Sequence, residues 1–211
     1  METYTFSRKE EILHAITHGI GAVLSIAGLV LLIIFSSFSG NPWKIVSVTI
    51  FGLTMLLMYL SSTIVHSLPE GRAKNIFQIF DHSAIYIFIA GTYTPFLLVH
   101  LRGITGWLLF GIVWGIALIG IIFKVFFVKK FLLLSTFFYV LMGWLIVFAW
   151  HPLTSTMNEQ GIRLLIIGGV IYTIGTLFYV IRKIPYHHVI WHIFVILGSV
   201  FHFFAVFYYV I

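Results

Sequence analysis

Seven apolar stretches, each about 20 residues long or longer, occupy most of this chain. A helix needs roughly 20 apolar residues to cross about 30 Å of hydrocarbon. The stretches are continuous and do not alternate with polar residues, which favours helices over barrel strands. They lie at residues 15–38, 44–68, 76–101, 105–127, 131–150, 162–181 and 189–211. We therefore predict an all-α, polytopic membrane protein, with one seven-transmembrane domain covering residues 1–211.

The composition excludes a water-soluble domain. Of the 211 residues, 61% are hydrophobic and only 9% are charged, well outside the usual range of soluble proteins. The net charge of +6 does not indicate nucleic-acid binding, because the basic residues stand singly or in pairs between apolar stretches. We expect the lipid bilayer as the partner and no nucleic acid. The chain has no cysteine, so a metal site must use histidine, aspartate or glutamate.

The distribution of lysine and arginine predicts the orientation. Positively charged loops stay on the cytoplasmic side, and the side that holds the N-terminus carries nine of the twelve basic residues. Those nine are Arg8, Lys9, Arg72, Lys74, Lys124, Lys129, Lys130, Arg182 and Lys183. We predict a cytoplasmic N-terminus and a C-terminus outside. The polar start contains Glu2 and lacks the pattern of a cleaved signal peptide, so we expect the first span to remain in the mature protein.

This topology places the sole aspartate and seven of the ten histidines at one level, near the cytoplasmic leaflet. An ionisable group at the centre of a span costs at least about 2.5 kcal/mol unless it is paired, so such a group indicates function. The residues at this level are His14, His18, His66, Asp81, His82, His187, His188 and His192. For His100 and His202, which lie elsewhere, we expect hydrogen bonds between helices.

The spacing of the histidines predicts a metal site. His188 and His192 are four residues apart, which puts both rings on one helix face, and Ser62 and His66 share that spacing. Three histidines leave one position of a tetrahedral zinc ion open for water, as in catalytic zinc sites. Asp81 would hydrogen-bond this water, as general base, or complete the shell. The predicted ligands are His66, His188 and His192.

Polar motifs at the ends of four stretches resemble those of a known family. They are Glu10-Glu11-x-x-His14-x-x-Thr17-His18, Ser62-x-x-x-His66, Asp81-His82-Ser83, and His188-x-x-x-His192 followed by Gly198-x-x-x-His202-Phe203. This combination resembles the hemolysin III group, the bacterial branch of the progestin and adipoQ receptor family. The resemblance covers essentially the full chain and implies a bacterial inner (plasma) membrane location.

The resemblance also implies roles for single residues. In adiponectin-receptor relatives, the histidines matching His66, His188 and His192 hold zinc, and the aspartate matching Asp81 reaches the ion through water. Ser62 would lie beside it, so we expect Asp81 and Ser62 to be the catalytic residues. Glu11, His14 and His18 would cap the cytoplasmic mouth of the site. The roles of His82 and His202 stay open.

Three functions are compatible with these residues. The family's likeness to alkaline ceramidases implies a zinc-dependent hydrolase of lipid amide or ester bonds that serves membrane-lipid homeostasis, with a membrane lipid as substrate. The family name suggests a pore-forming cytolysin, although seven apolar spans conflict with the soluble state that a secreted pore former needs. A non-enzymatic receptor or sensor would use zinc only to join spans. Short outer loops argue against a protein-hormone receptor.

Overall fold

The computed structural model describes residues 6–211. In these residues seven helices are long enough and apolar enough to cross a membrane. All regular structure in these residues is helical. We number the helices as span 1 (Arg8–Ser37), span 2 (Pro42–Ser67), span 3 (Arg72–His100), span 4 (Ile104–Phe127), span 5 (Leu132–Thr156), span 6 (Glu159–Val180) and span 7 (His187–Tyr209). The predicted all-α class and the number of spans are confirmed.

Span 1 begins seven residues before its predicted start at residue 15, because its first turn is capped. The Ser7 hydroxyl accepts the backbone N–H of Glu10, and the Glu10 carboxylate accepts the backbone N–H of Ser7 at 2.9 Å. This reciprocal capping satisfies two amides that the helix itself leaves unpaired. As a result Glu11 and His14 stand on the helix instead of in a loop before it.

Span 5 is a broken helix whose break is held by span 3. Its pieces are Leu132–Gly143, a 3₁₀ segment Leu145–Ala149 and Trp150–Thr156. The Tyr93 hydroxyl lies 2.7 Å from the carbonyl oxygen of Gly143 and accepts the N–H of Ile146 at 3.0 Å. A break exposes backbone groups that lipid cannot satisfy, and Tyr93 supplies their partner. The last piece extends span 5 six residues past the predicted end at residue 150.

Large apolar side chains cover the outside of the bundle. Ile104, Phe126 and Phe148 are each more than 70% exposed, which in water would be costly but suits contact with lipid tails. Inside, small residues let neighbouring helices approach. A Cβ atom at Gly21 would lie 2.5 Å from the ring of Tyr59, and one at Gly168 would lie 2.4 Å from Nδ1 of His202. Span 1 therefore packs closely on span 2, and span 6 packs closely on span 7.

Candidate metal centre

Three histidines from two spans meet at the end of the bundle where span 1 begins. His66 lies at the end of span 2, whereas His188 and His192 lie in the first two turns of span 7. One ring nitrogen from each lies within 4.8 Å of the other two. We call this group the inner triad. His192 is only 1% exposed, so this member of the triad is shielded from solvent.

The spacing of the three rings fits a single tetrahedral ion. The ring centres of His66 and His188 are 5.3 Å apart, those of His66 and His192 are 5.4 Å apart, and those of His188 and His192 are 4.6 Å apart. Imidazoles that bind one zinc ion at about 2.0–2.1 Å have ring centres about 5 Å apart. Imidazole nitrogen is also a donor that suits zinc. The inner triad is therefore a candidate metal site.

Glu11 fixes the position of the proton on His66. Its Oε2 lies 2.6 Å from Nδ1 of His66. A carboxylate can only accept, so Nδ1 carries the hydrogen and donates it, and Nε2 keeps its lone pair. A carboxylate behind the ring of a metal-binding histidine orients that ring and raises its basicity. Span 1 thus holds the ring of His66, at the end of span 2, with Nε2 free to bind an ion.

Thr17 does the same for His192. Its hydroxyl lies 2.8 Å from the carbonyl oxygen of Leu13 and 3.0 Å from that of His14, so the single hydroxyl proton is directed at the backbone of span 1. Nδ1 of His192 lies 3.0 Å from the same oxygen and must donate to it. Nε2 of His192 then keeps the lone pair that a metal ion could bind.

A short chain of charged groups connects Glu11 to the surface. Nζ of Lys74 lies 2.6 Å from Oε1 of Glu11 and 3.0 Å from Oε1 of Glu70. The Glu70 side chain is 76% exposed, whereas those of Glu11 and Lys74 are about one-sixth exposed. Glu11 therefore presents one oxygen to Lys74 and the other to the histidines. This arrangement holds the start of span 1 against spans 2 and 3.

Two further histidines of span 1 lie against the triad. His14 is fully buried, and its ring centre lies 4.6 Å from that of His66 and 4.7 Å from that of His188. His18 stacks on His192 at 3.5 Å. All four ring nitrogens of His14 and His18 are buried and have no hydrogen-bond partner among residues 6–211. Phe6 packs against this cluster, with its ring centre 4.6 Å from that of His14.

A cavity of about 920 Å³ adjoins the triad. Its wall includes the three histidines of the inner triad, Ser62, Asp81 and the more distant His202. Basic residues line another part of the wall, namely Lys74, Lys129, Lys130 and Arg182. The cavity is large enough for a drug-sized ligand or a lipid segment. Its wall combines apolar side chains with a few polar groups near the triad.

Asp81 shares this cavity with the triad, but no hydrogen bond or ion pair within residues 6–211 joins it to His66, His188 or His192. Its Oδ2 lies 3.4 Å from Nδ1 of its neighbour His82. Ser62 is 2% exposed and lies one helical turn before His66. The contact through water that we expect for Asp81 stays a prediction, as do the catalytic roles of both residues.

Comparison with known proteins identifies the family. The model of the family described as "Haemolysin-III related" matches residues 6–203. The chain belongs to the haemolysin-III-related family. The resemblance noted from the four polar motifs is thereby confirmed.

Relatives of this chain come from bacteria and animals. It is 57% identical to the "Hemolysin-3 homolog" of Bacillus subtilis over 97% of its own length and 96% of that protein. It is 50% identical to the "Hemolysin-3" of Bacillus cereus, covering 96% and 93% of the two chains. The human "Monocyte to macrophage differentiation factor" is 29% identical, over 90% of this chain and 80% of the human one. The relationship to the progestin and adipoQ receptor family holds at this greater distance.

Two of the remaining histidines, His100 and His187, bond to another helix. Nε2 of His100 lies 2.7 Å from the carbonyl oxygen of Tyr209, which is the bond between helices expected from the sequence. His187 donates from Nδ1 to the carbonyl oxygen of Phe178 in span 6. His202 differs from the expectation, because its Nδ1 bonds the carbonyl oxygen of Gly198 in its own helix at 2.8 Å. Its contact with span 6 is stacking on Tyr172.

His82, whose role the sequence left open, is fixed by three contacts. Its Nδ1 donates to the carbonyl oxygen of Gln78 at 2.9 Å, so Nε2 accepts the hydroxyl of Tyr179 at 3.2 Å. The hydroxyl of Tyr139 donates to the backbone oxygen of His82. Both ring nitrogens are thus used within the protein. His82 serves here to hold spans 3, 5 and 6 together beside Asp81.

Two contacts of the site were missed from the sequence. Glu11 was assigned to the mouth without a partner, and Thr17 was noted only as part of a motif. A signal was present, because Glu11, His14 and His18 follow the spacing i, i+3, i+7, which puts them on one helix face. From this spacing one could have predicted that span 1 turns a polar face toward the histidines of spans 2 and 7.

Proposed function

We propose that this haemolysin III protein is a zinc-dependent hydrolase of lipid amide or ester bonds, with His66, His188 and His192 as the zinc ligands. One observation carries this proposal. Three imidazoles, two of which keep Nε2 available because Nδ1 donates elsewhere, stand on the wall of a cavity that also holds an aspartate. A donor set of this kind with an adjacent cavity is typical of a catalytic zinc site.

A zinc ion bound by the triad would polarise a water molecule and a substrate carbonyl group. In this proposal Asp81 acts as general base and accepts the proton of the attacking water. Ser62, one turn before His66 on the same cavity wall, orients that water through its hydroxyl. Asp81 then returns the proton to the leaving amine or alcohol. Each role needs a group that borders the cavity, as both side chains do.

A lipid substrate suits the surroundings of the triad. The cavity has apolar walls for acyl chains, and its basic residues Lys129, Lys130 and Arg182 are suited to the polar head of a lipid. Positive loops mark the cytoplasmic side of a membrane protein. We therefore propose that the reaction takes place in the cytoplasmic leaflet of the bacterial plasma membrane and serves lipid homeostasis.

Metal analysis and lipid turnover test the proposal together. Purified protein should contain one tightly bound zinc ion, and changing His66, His188 and His192 to alanine should remove it. Asp81→Asn should keep zinc and abolish the release of fatty acid from a lipid amide or ester. The exposed His151 provides a control, because His151→Ala should change neither quantity. Wild-type protein without zinc would refute the metal site, and unchanged turnover in Asp81→Asn would refute the role of Asp81 as general base.

A second candidate is a sensor or receptor in which zinc only joins helices. The ligands lie on spans 2 and 7 and their supporting residues lie on span 1, so an ion there would tie three helices together. In that case zinc removal would lower stability, but no lipid would be hydrolysed by the loaded wild-type protein. Product analysis with defined ceramides and phospholipids separates this role from the enzyme.

A third candidate follows from the printed name of the Bacillus cereus relative, "Hemolysin-3". A pore former should make liposomes leak a small dye when it is reconstituted at low protein density. Leakage that persists in Asp81→Asn would favour this function over hydrolysis. Liposomes that retain the dye would exclude the pore-forming function.

A further inference from the structure

We propose that Glu11, His14 and His66 form a second, weaker cation site, which accepts a divalent metal ion on its way to the inner triad. One ligand atom from each of these residues lies within 4.8 Å of the other two. We call this group the outer triad. The inference concerns metal binding and holds whether or not the protein hydrolyses lipid.

His14 is the first reason to place a cation here. It is fully buried, yet neither of its ring nitrogens has a hydrogen-bond partner among the described residues. A buried polar group without a partner costs about 1–3 kcal/mol, and such groups in a native structure need an explanation. Nδ1 of His14 lies 4.0 Å from Oε2 of Glu11, which is too long for a hydrogen bond but leaves room for an ion.

The two ends of Glu11 provide the second reason. Oε1 is occupied by Lys74 at 2.6 Å, whereas Oε2 faces Nδ1 of His66 at 2.6 Å and Nδ1 of His14 at 4.0 Å. A cation that enters takes the place of the proton on Nδ1 of His66, and the ring stays neutral because it carries its one proton on Nε2 instead. The resulting donors are one carboxylate oxygen and two imidazole nitrogens, a set that zinc commonly uses.

The outer triad reaches toward solvent through Glu11. Glu11 is in the first turn of span 1 and is linked through Lys74 to the exposed Glu70. His192, by contrast, is 1% exposed. His66 belongs to both groups, with Nδ1 toward Glu11 and Nε2 left for the inner ion. An ion that leaves the outer triad passes from the Nδ1 edge of this ring to its Nε2 edge, and the ring proton returns from Nε2 to Nδ1, where Glu11 accepts its hydrogen bond.

Charge makes the outer triad the weaker site. Glu11 is the one carboxylate of the outer triad, and the ammonium of Lys74 contacts it, so Lys74 repels a cation bound there. An ion in the inner triad would add a second positive charge across the His66 ring and would repel an outer cation as well. Glu70 offsets part of the effect of Lys74, because it lies 3.0 Å from the same nitrogen. Weak binding near the surface and tight binding inside is the order that metal loading requires.

Zinc titration of variants in detergent or nanodiscs tests the outer triad. The double variant His188→Ala/His192→Ala lacks the inner triad and should still bind one zinc ion, at least about tenfold more weakly than wild type binds its first. Adding His14→Asn should abolish this residual binding. Adding His18→Asn instead should leave it intact, because His18 is equally buried and unpaired but lies outside both triads. Circular dichroism and gel filtration establish that all variants are folded.

The outcomes separate this inference from the proposed zinc enzyme. If wild type binds one ion and the double variant binds none, the outer triad is refuted and the inner one stands. Equal loss of residual binding with His14→Asn and His18→Asn also overturns the inference. If wild type binds no zinc at any concentration, both proposals fail. Residual binding that only His14→Asn removes supports the outer triad.

Discussion

Thr17 in span 1 accepts a hydrogen bond from Nδ1 of His192 in span 7 at 3.0 Å, across 175 residues of sequence. The hydroxyl proton of Thr17 is directed at its own helix backbone, so the threonine can only accept from the histidine. This contact selects the form of His192 that has a free Nε2. Span 1 provides none of the three histidines of the inner triad, yet it determines which ring nitrogen of His192 is left to bind an ion.

Replacing this threonine should weaken metal binding without removing a ligand. Thr17→Val keeps the shape of the side chain but loses the acceptor, so we expect zinc affinity to fall about 10- to 100-fold, as for other groups that support a metal-binding histidine. Competition with a chromophoric chelator measures the change. Thr17→Ser retains the hydroxyl and should stay within a few-fold of wild type. Equal losses in the two variants would contradict the role of the hydrogen bond.

Glu11 should have a similar effect through His66. Glu11→Gln removes the negative charge that holds the Nδ1 proton of His66 at 2.6 Å and the ion pair between residue 11 and Lys74, so affinity for the inner ion should fall about 10- to 100-fold. Glu10→Gln is the matched control, because glutamine preserves the capping of span 1 and Glu10 contacts only Ser7 among the hydrogen bonds of residues 6–211. The same chelator competition compares the two. A loss of affinity in Glu10→Gln as large as that in Glu11→Gln would assign the effect to the helix end.

The fold was predictable because its main determinant is local. A run of about 20 apolar residues can only cross a bilayer as a helix, so seven runs gave seven spans. The early start of span 1 was missed because Arg8 to Glu11 look like a polar loop until Ser7 and Glu10 are seen to cap each other. The break in span 5 depends on Tyr93 from another helix, which no local pattern reveals.

The candidate site was predictable in part, because some of its residues are related by local sequence spacing. Spacing of four residues pairs His188 with His192 on one face, and counting basic residues placed His66 at the same level. The hydrogen bond from His66 to Glu11 depends on how span 1 is rotated against span 2, and on a contact 55 residues apart in sequence. Rotation about a helix axis is set by packing, such as that of Gly21 on Tyr59. Sequence periodicity alone does not determine it.

The break in span 5 should matter for stability and not for metal. Tyr93→Phe removes the hydroxyl that serves the backbone at Gly143 and Ile146 and leaves these groups unsatisfied in the membrane interior, so we expect a loss of about 1–3 kcal/mol. Thermal unfolding in detergent should show a lower Tm, with zinc content unchanged. Tyr208→Phe is the control, because Tyr208 is 62% exposed on the outside of the bundle. An unchanged Tm in Tyr93→Phe would mean that the broken helix finds other partners.

Removing zinc from the inner triad should destabilise the protein. A ligand that binds only the folded state stabilises it by about 2.7 kcal/mol at a free concentration one hundred times its Kd, so a chelator should lower the Tm of wild type and added zinc should restore it. His66→Ala should already have the lower Tm and should not respond to chelator or to zinc. His151→Ala, whose side chain is exposed, should respond as wild type does. Differential scanning fluorimetry measures all three, and a response to chelator in His66→Ala equal to that of wild type would place the stabilising ion at a different site.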